Sequence, residues 1–119
     1  MDRRELGRFG EERAARYLRL RGYRIVETNF SCRSGEIDLI AQRGKYLAFV
    51  EVKLRKNADF AAAREFVTAA KWQRIRTAAA LWLSQHETVK QPRFDVVEIY
   101  APLGAEGPIT VNHIENAFE

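Results

Sequence analysis

Two strand-forming runs joined by a short turn constrain this chain more than any other stretch. Ile37 to Ala41 and Tyr46 to Leu54 flank Gln42-Arg43-Gly44-Lys45, whose residue types read as a hairpin turn. The two runs are therefore expected as antiparallel neighbours in a sheet. Each carries an acid where an apolar residue would be expected: Asp38 within Gly35-Glu36-Ile37-Asp38-Leu39-Ile40, and Glu51 within Phe49-Val50-Glu51-Val52-Lys53. Side chains alternate along a strand, so Leu47, Phe49, Glu51 and Lys53 share one face while Val50 and Val52 take the other. That first face begins apolar and ends charged, as on a strand that is buried along most of its length and opens into a cleft at its end.

The remaining segments can be fitted around this hairpin. Leu6, Phe9, Gly10, Ala14, Tyr17 and Leu18 recur at three- and four-residue spacing, which predicts an amphipathic helix from about Arg3 to Arg21, stopped by Gly22. On it Glu11 lies at the margin of the apolar stripe and can point toward the sheet, whereas Glu12 stands four residues before Arg16 on the other flank. Tyr23 to Asn29 alternates as a first strand, and Asn29 to Gly35 reads as a polar connection. After the hairpin, Arg55 to Asp59 is expected as a loop and Ala61 to Gln85 as a helix. Val67, Lys71, Ile75, Ala78 and Trp82 make its stripe, interrupted by Lys71, a residue that can snorkel out of an apolar line.

Pro92 closes the next link, Arg93 to Tyr100 reads as a fourth strand, and Ile109 to Ile114 as a short edge strand after a loop. A helix between the third and fourth strands suits a parallel crossover. The expected fold is α/β: a mixed sheet flanked by helices in the order αβββαβ, with an extra C-terminal strand. No linker or repeat interrupts the 119 residues, so one domain over residues 1–119 is expected, with residues 101–119 forming a loop, a short strand and an acidic tail.

Composition narrows the chemistry. A single cysteine, Cys32, excludes an internal disulfide and a cysteine zinc site, and the two histidines, His86 and His113, stand far apart. A metal ion here would be held by carboxylates, which implies a hard cation such as Mg2+ or Mn2+. No apolar run approaches the roughly 20 residues that cross a bilayer. The charged start, Met1-Asp2-Arg3-Arg4-Glu5, gives the expectation of a cytoplasmic protein with no membrane partner. All 20 basic residues lie at or before Arg93 with 11 of the 16 acids, so that part carries +9 and the last 26 residues −5. A basic body suits a polyanion such as nucleic acid, although an ordinary solvated arginine-rich surface accounts for the same charge.

A hairpin brings Asp38 and Glu51 to the same end of the sheet. With the backbone carbonyl of Val52 they could supply oxygen ligands to a magnesium ion, while Glu11 completes the set directly or through water. Lys53 could orient or deprotonate an attacking water. A salt bridge among Asp38, Glu51 and Lys53 is the simpler alternative, but burying several charges for stability alone is unfavourable. Arg55, Lys56, Lys71, Arg74 and Arg76 are the bases expected to meet phosphates near the cleft.

Gly10-Glu11-Glu12-Arg13-Ala14, Gly22-Tyr23, Asn29, Gly35-Glu36-Ile37-Asp38-Leu39-Ile40-Ala41, Phe49-Val50-Glu51-Val52-Lys53-Leu54-Arg55, Lys71 and Arg93-Phe94-Asp95-Val96 closely resemble the YraN-like family of small bacterial proteins. That family is similar to the PD-(D/E)XK nuclease superfamily, with its restriction-endonuclease-like fold, and to archaeal Holliday junction resolvases. The resemblance implies Asp38 as the motif acid, Glu51 and Lys53 as the acid-x-lysine pair and Glu11 as the helix acid. It implies a Mg2+- or Mn2+-dependent endonuclease acting on DNA, including branched DNA in repair or recombination. Two other classes stand beside it: a nucleic-acid-binding module without catalysis, and an interaction subunit that needs a partner protein. A chain this small has no separate specificity domain, so a homodimer or a protein partner is expected with any of them.

Overall fold

The structure is a computed structural model, and it describes residues 2–55 and 68–117. Its elements are α1 (Arg3–Leu20), β1 (Arg24–Cys32), β2 (Gly35–Arg43), β3 (Tyr46–Arg55), α2 (Ala69–Gln85), β4 (Gln91–Tyr100) and β5 (Thr110–Ile114). The five strands form one sheet in sequence order. Only β3 and β4 run parallel, joined across α2, and the other neighbours are antiparallel. The fold is thus the expected α/β arrangement, a mixed sheet with a helix on each face.

The helices form where the sequence caps them and supplies an apolar stripe. Asp2 accepts a hydrogen bond from the Glu5 amide at 2.8 Å and opens α1. Gly10, Ala14, Ala15 and Leu18 are its buried residues. It ends where Gly22 takes a φ of +89°, a conformation that costs a glycine little. Arg13, whose place near the apolar stripe has no obvious reason in the sequence, lies over the Phe9 ring at 5.6 Å. Thr68 caps α2 by accepting from the Lys71 amide at 3.1 Å, and Ile75, Ala78, Ala79 and Trp82 are buried. The expected first turns of this helix, Ala61 to Val67, lie outside the described residues, as does Lys56.

Two core layers result. Ala14, Ala15 and Leu18 pack on Leu39, Ala41, Ala48, Val50, Val97 and Ile99 on the α1 side. Ala78, Ala79 and Trp82 pack on Ile37, Ile40, Leu47 and Phe49 on the α2 side. Phe49 lies edge-on to Trp82 at 5.9 Å and stacks on Phe94 at 5.5 Å. Burying a side chain of this kind contributes about 2–3 kcal/mol. Among the described residues no helix is long and apolar enough to cross a membrane.

Three expectations change. The segment from Asn29 to Gly35 is not a loop: β1 continues to Cys32, which pairs with Gly35 across the two-residue turn Arg33-Ser34. Phe30 drives the extension by packing on the α2-side core. Gln42 and Arg43 belong to β2, leaving Gly44 at φ +58° and Lys45 as the turn. Pro92 lies inside β4 rather than before it, paired with Leu47. The β4–β5 ladder begins only at Val96, so the missing proline N–H sits where β4 is still an edge.

The sheet also switches faces locally. Thr28 pairs with Leu39 and Phe30 with Ile37, yet Leu39 belongs to the α1-side core while Ile37 and Phe30 belong to the α2-side core. Strict alternation would keep Leu39 and Ile37 on one face. Between them stand Asp38 on β2 and Asn29 on β1, the latter at φ +52°. The left-handed residue turns the strand over at this point, and Asp38 is the hinge of the exchange on its neighbour.

Candidate functional site

Asp38 and Glu51 lie immediately beyond Leu39 and Val50, the last Cα partners at that end of the β2–β3 ladder. Because the face exchange occurs at Asp38, its carboxylate turns sideways toward β3, where Oδ2 accepts from the Val52 amide at 2.8 Å. Glu11 comes from α1, whose neighbouring Gly10 faces Val52 and Leu54 of β3. The result is an acidic group: ligand oxygens of Glu11, Glu36 and Asp38 all lie within 4.8 Å of one another.

Glu51 stands on the α2 side of this group. Its Oε1 is 3.1 Å from Lys53 Nζ and 2.7 Å from Lys71 Nζ. A cleft of about 270 Å³ is lined by Gly35, Glu36, Asp38, Glu51, Lys71, Arg74 and Ile75. Gly35 lets α2 come this close, since a Cβ there would stand 3.2 Å from Arg74 Cβ and 3.3 Å from its carbonyl oxygen.

These neighbours set the proton affinities. Burial, then the Glu51 charge, push the Asp38 carboxyl up to about 7; the Val52 amide opposes this, and Glu11 and Glu36 add to it. Burial also raises Glu11, against a hydrogen bond with Asn29 and with help from Glu36 and Glu51. Lys53 is lowered by burial and by Lys71 beside it, although Glu51 works the other way. For Lys71 burial disfavours the charge, but the hydrogen bonds to Glu51 and Lys53 and the charges of Glu51 and Asp38 outweigh it, so its pKa rises.

Glu11, Asp38, Glu51 and Lys53 thus all come from the same end of the sheet. The tightest acidic group, however, takes Glu36 as its third member while Glu51 is engaged by lysines. Val52 meets Asp38 through its amide; a strand residue turns its amide and carbonyl to the same side, so that carbonyl also faces β2. Of the expected phosphate-binding bases, Lys71 and Arg74 line the cleft. Arg55 is half-buried at the end of β3. Arg76 lies 5.7 Å over the Trp72 ring, two residues from Arg74 and so on another flank of α2. Sequence reasoning missed Glu36 and Asn29 as members of the site. Glu36 carried a signal, since it stands two residues before Asp38; the left-handed Asn29 carried only its residue type.

The three acids offer oxygen donors alone, gathered within 4.8 Å of one another. A divalent hard cation fits that donor set. Cys32 packs against the α2-side core instead, His86 stacks on Trp82 at 3.9 Å, and His113 bonds Asp95 at 2.8 Å, so neither histidine joins the acids.

Residues 10–99 match the uncharacterised protein family UPF0102. A UPF0102 protein of Frankia casuarinae is 45% identical over 114 residues, covering 95% of each chain. One from Syntrophomonas wolfei is 45% identical over 116 residues, covering 97% of this chain and 98% of the relative. One from Caldicellulosiruptor saccharolyticus is 39% identical over 119 residues, covering 99% and 100%. The match spans α1 to β4 and so includes every residue of the acidic end of the sheet; this chain belongs to the UPF0102, or YraN-like, family.

Proposed function

We propose that this protein is a metal-dependent endonuclease that hydrolyses phosphodiester bonds in DNA, with branched or otherwise structured DNA as its substrate class. The observation that carries the reading is the position of Asp38, held by the Val52 amide between the Glu11–Glu36 pair and the Glu51–Lys53–Lys71 group. Asp38 and Glu51, with Glu11, Glu36 and the Val52 carbonyl as further oxygen donors, would hold an Mg2+ or Mn2+ ion. When bound, such an ion polarises a phosphoryl oxygen and acidifies water.

The chain's own groups do the rest. Lys53, with its lowered proton affinity, takes a proton from the attacking water or orients it. Lys71 and Arg74, on the wall of the cleft, offset charge on the phosphate as it gains a fifth oxygen neighbour. The basic body, +9 before residue 94, draws the polyanion in.

The test is incubation of purified protein with linear, nicked, flapped and four-way DNA in Mg2+ and in Mn2+. Cutting of at least one substrate is expected, with a loss of 100-fold or more in Asp38→Asn and Lys53→Ala, roughly the contribution of one acid–base or electrostatic group. Cutting that persists unchanged in either variant would refute the assignment. Failure on every substrate, with no Mn2+ uptake, would leave the second reading, a DNA-binding module whose Glu51 is a structural anion between two lysines. Binding that weakens steeply with salt is that reading's signature.

A further inference from the structure

Resting on the metal-dependent reading above, we infer that Lys71 is a placeholder for the metal ion on Glu51: it holds that carboxylate in the metal-free protein and is released toward substrate phosphate when the ion arrives. The site thereby couples metal uptake to DNA capture.

The geometry shows a conflict at Glu51. Two ammonium groups converge on one carboxylate oxygen, at 2.7 Å from Lys71 and 3.1 Å from Lys53. Asp38 and Glu51 line the same cleft, yet Glu51 is not among the acids whose oxygens gather around Asp38. For Glu51 to share an ion with Asp38, it has to give up a lysine. Lys53 is fixed two residues along the same strand and on the same face, and its side chain is 20% exposed. Lys71 reaches across from α2, and its side chain is 37% exposed. Lys71 is the partner that can leave.

Its position favours departure toward an anion. Lys71 is in the first turn of α2, where its amide is already bonded to the capping Thr68 hydroxyl and where no acid stands. The positive end of the helix dipole disfavours a cation there unless an anion is at hand. Glu51 is that anion in the metal-free state. Once Glu51 turns to an ion, the ammonium stands at the mouth of a cleft whose next helical base, one turn on, is Arg74. A phosphate bridging Lys71 and Arg74 satisfies the lysine, the arginine and the helix end together. Because coupling of binding free energies is reciprocal, DNA in turn tightens the metal.

Mn2+ titration followed by electron paramagnetic resonance, on wild type, Lys71→Met, Lys71→Arg and Asp38→Asn, tests the placeholder. Lys71→Met is expected to bind Mn2+ at least severalfold more tightly than wild type, and Lys71→Arg to stay near wild type. In parallel, acylation of lysines by an amine-reactive ester is read by mass spectrometry. Mn2+ is expected to speed labelling of Lys71 severalfold in wild type and not in Asp38→Asn. Circular dichroism establishes that each variant is folded. Equal or weaker Mn2+ binding by folded Lys71→Met, or Lys71 labelling indifferent to Mn2+, overturns the placeholder while Asp38-dependent uptake by wild type leaves the metal reading standing. If neither wild type nor Lys71→Met takes up Mn2+, both ideas fall together.

Discussion

Asp38 is where the charges of this site converge, and asparagine at that position separates charge from shape. The side-chain oxygen of asparagine can still accept the Val52 amide, so the contact that fixes the end of β2 to β3 is kept. What disappears is an ionisable group whose native value is about 7 against an ordinary 3.8. Between pH 4 and 7 the folded protein therefore holds a proton that the unfolded chain has lost. A state that binds more protons is favoured at low pH, so wild-type stability falls as pH rises through this window, and the loss is complete above 7.

Roughly three tenfold steps in proton affinity at about 1.4 kcal/mol each set an upper bound of about 4 kcal/mol for that loss. The cleft is open to water, and screening there reduces the expected figure to about 1–3 kcal/mol. Urea unfolding in a chelator, followed by tryptophan fluorescence at pH 4 and pH 8, measures it. Asp38→Asn is expected to match wild type at pH 4 and to exceed it at pH 8, with the midpoint higher by about 1 M at a slope typical of small proteins. Adding Mn2+ at 100 times its dissociation constant is expected to return about 2.7 kcal/mol to wild type alone. A variant no more stable than wild type at pH 8, or a gap equal at both pH values, would show that burial and the neighbouring acids do not disfavour the Asp38 carboxylate as the geometry requires.

Two glycines of the family pattern are expected to respond in opposite directions. Gly10→Ala meets Leu54 Cβ at 3.6 Å and Val52 Cγ1 at 3.7 Å, ordinary contacts, so it should stabilise α1 by about 0.5–1 kcal/mol in a urea titration. Gly35→Ala forces the backbone of α2 away from β2 and should cost about 1–3 kcal/mol in the same titration. On β4, in register with Val50, buried Asp95 accepts two hydrogen bonds from Arg93 and others from His113 and the Asn116 amide. Asp95→Ala leaves buried Arg93 with only half-exposed Glu115 and the Tyr23 hydroxyl as partners, and should cost about 3 kcal/mol, the low end for breaking a buried pair, in the same titration. Burial alone would raise the Asp95 carboxyl, but its bonds to His113, Arg93 and Asn116 hold it below the ordinary range. Its contribution is accordingly present above about pH 4 and fades as pH falls through the native value, a loss absent from Asp95→Asn.

The parts of the fold legible in the sequence are those written in periodicity. The stripe of α1, the hairpin, the parallel crossover and the late edge strand follow from spacing and turn residues that nearby packing reinforces. Asn29 to Cys32 was not legible because its polar residues look like loop formers, and a single distant contact surface for Phe30 decides otherwise. Pro92 was misread for a related reason: proline argues against a strand only where its edge is paired, and pairing on that side of β4 begins four residues later. The acids Asp38 and Glu51 could be placed at one end of the sheet by counting through the turn. No count along the sequence could place Lys71 on Glu51, because that contact joins α2 to β3 across the sheet face.

The face exchange at Asn29 and Asp38 joins the fold to the chemistry. In a regular strand Asp38 would share a face with Glu36 and with Ile40, whose side is the α2-side core. Glu11 on α1 would then meet neither acid. Turning the strand over between Leu39 and Ile37 sends Asp38 sideways, between the layers, so that acids from α1 and β2 gather around it while it still lines the cleft with Glu51. Such a turn is locally costly: it uses a left-handed Asn29, whose side chain bonds Glu11, and ends the β2–β3 register at Leu39. A sheet built for stability alone has no use for an arrangement that collects repelling acids. Asn29→Gly should keep the turn and the unfolding midpoint while freeing Glu11, lowering Mn2+ affinity severalfold. If affinity instead stayed constant, Asn29 would serve the backbone only, and the acids would owe nothing to its side chain.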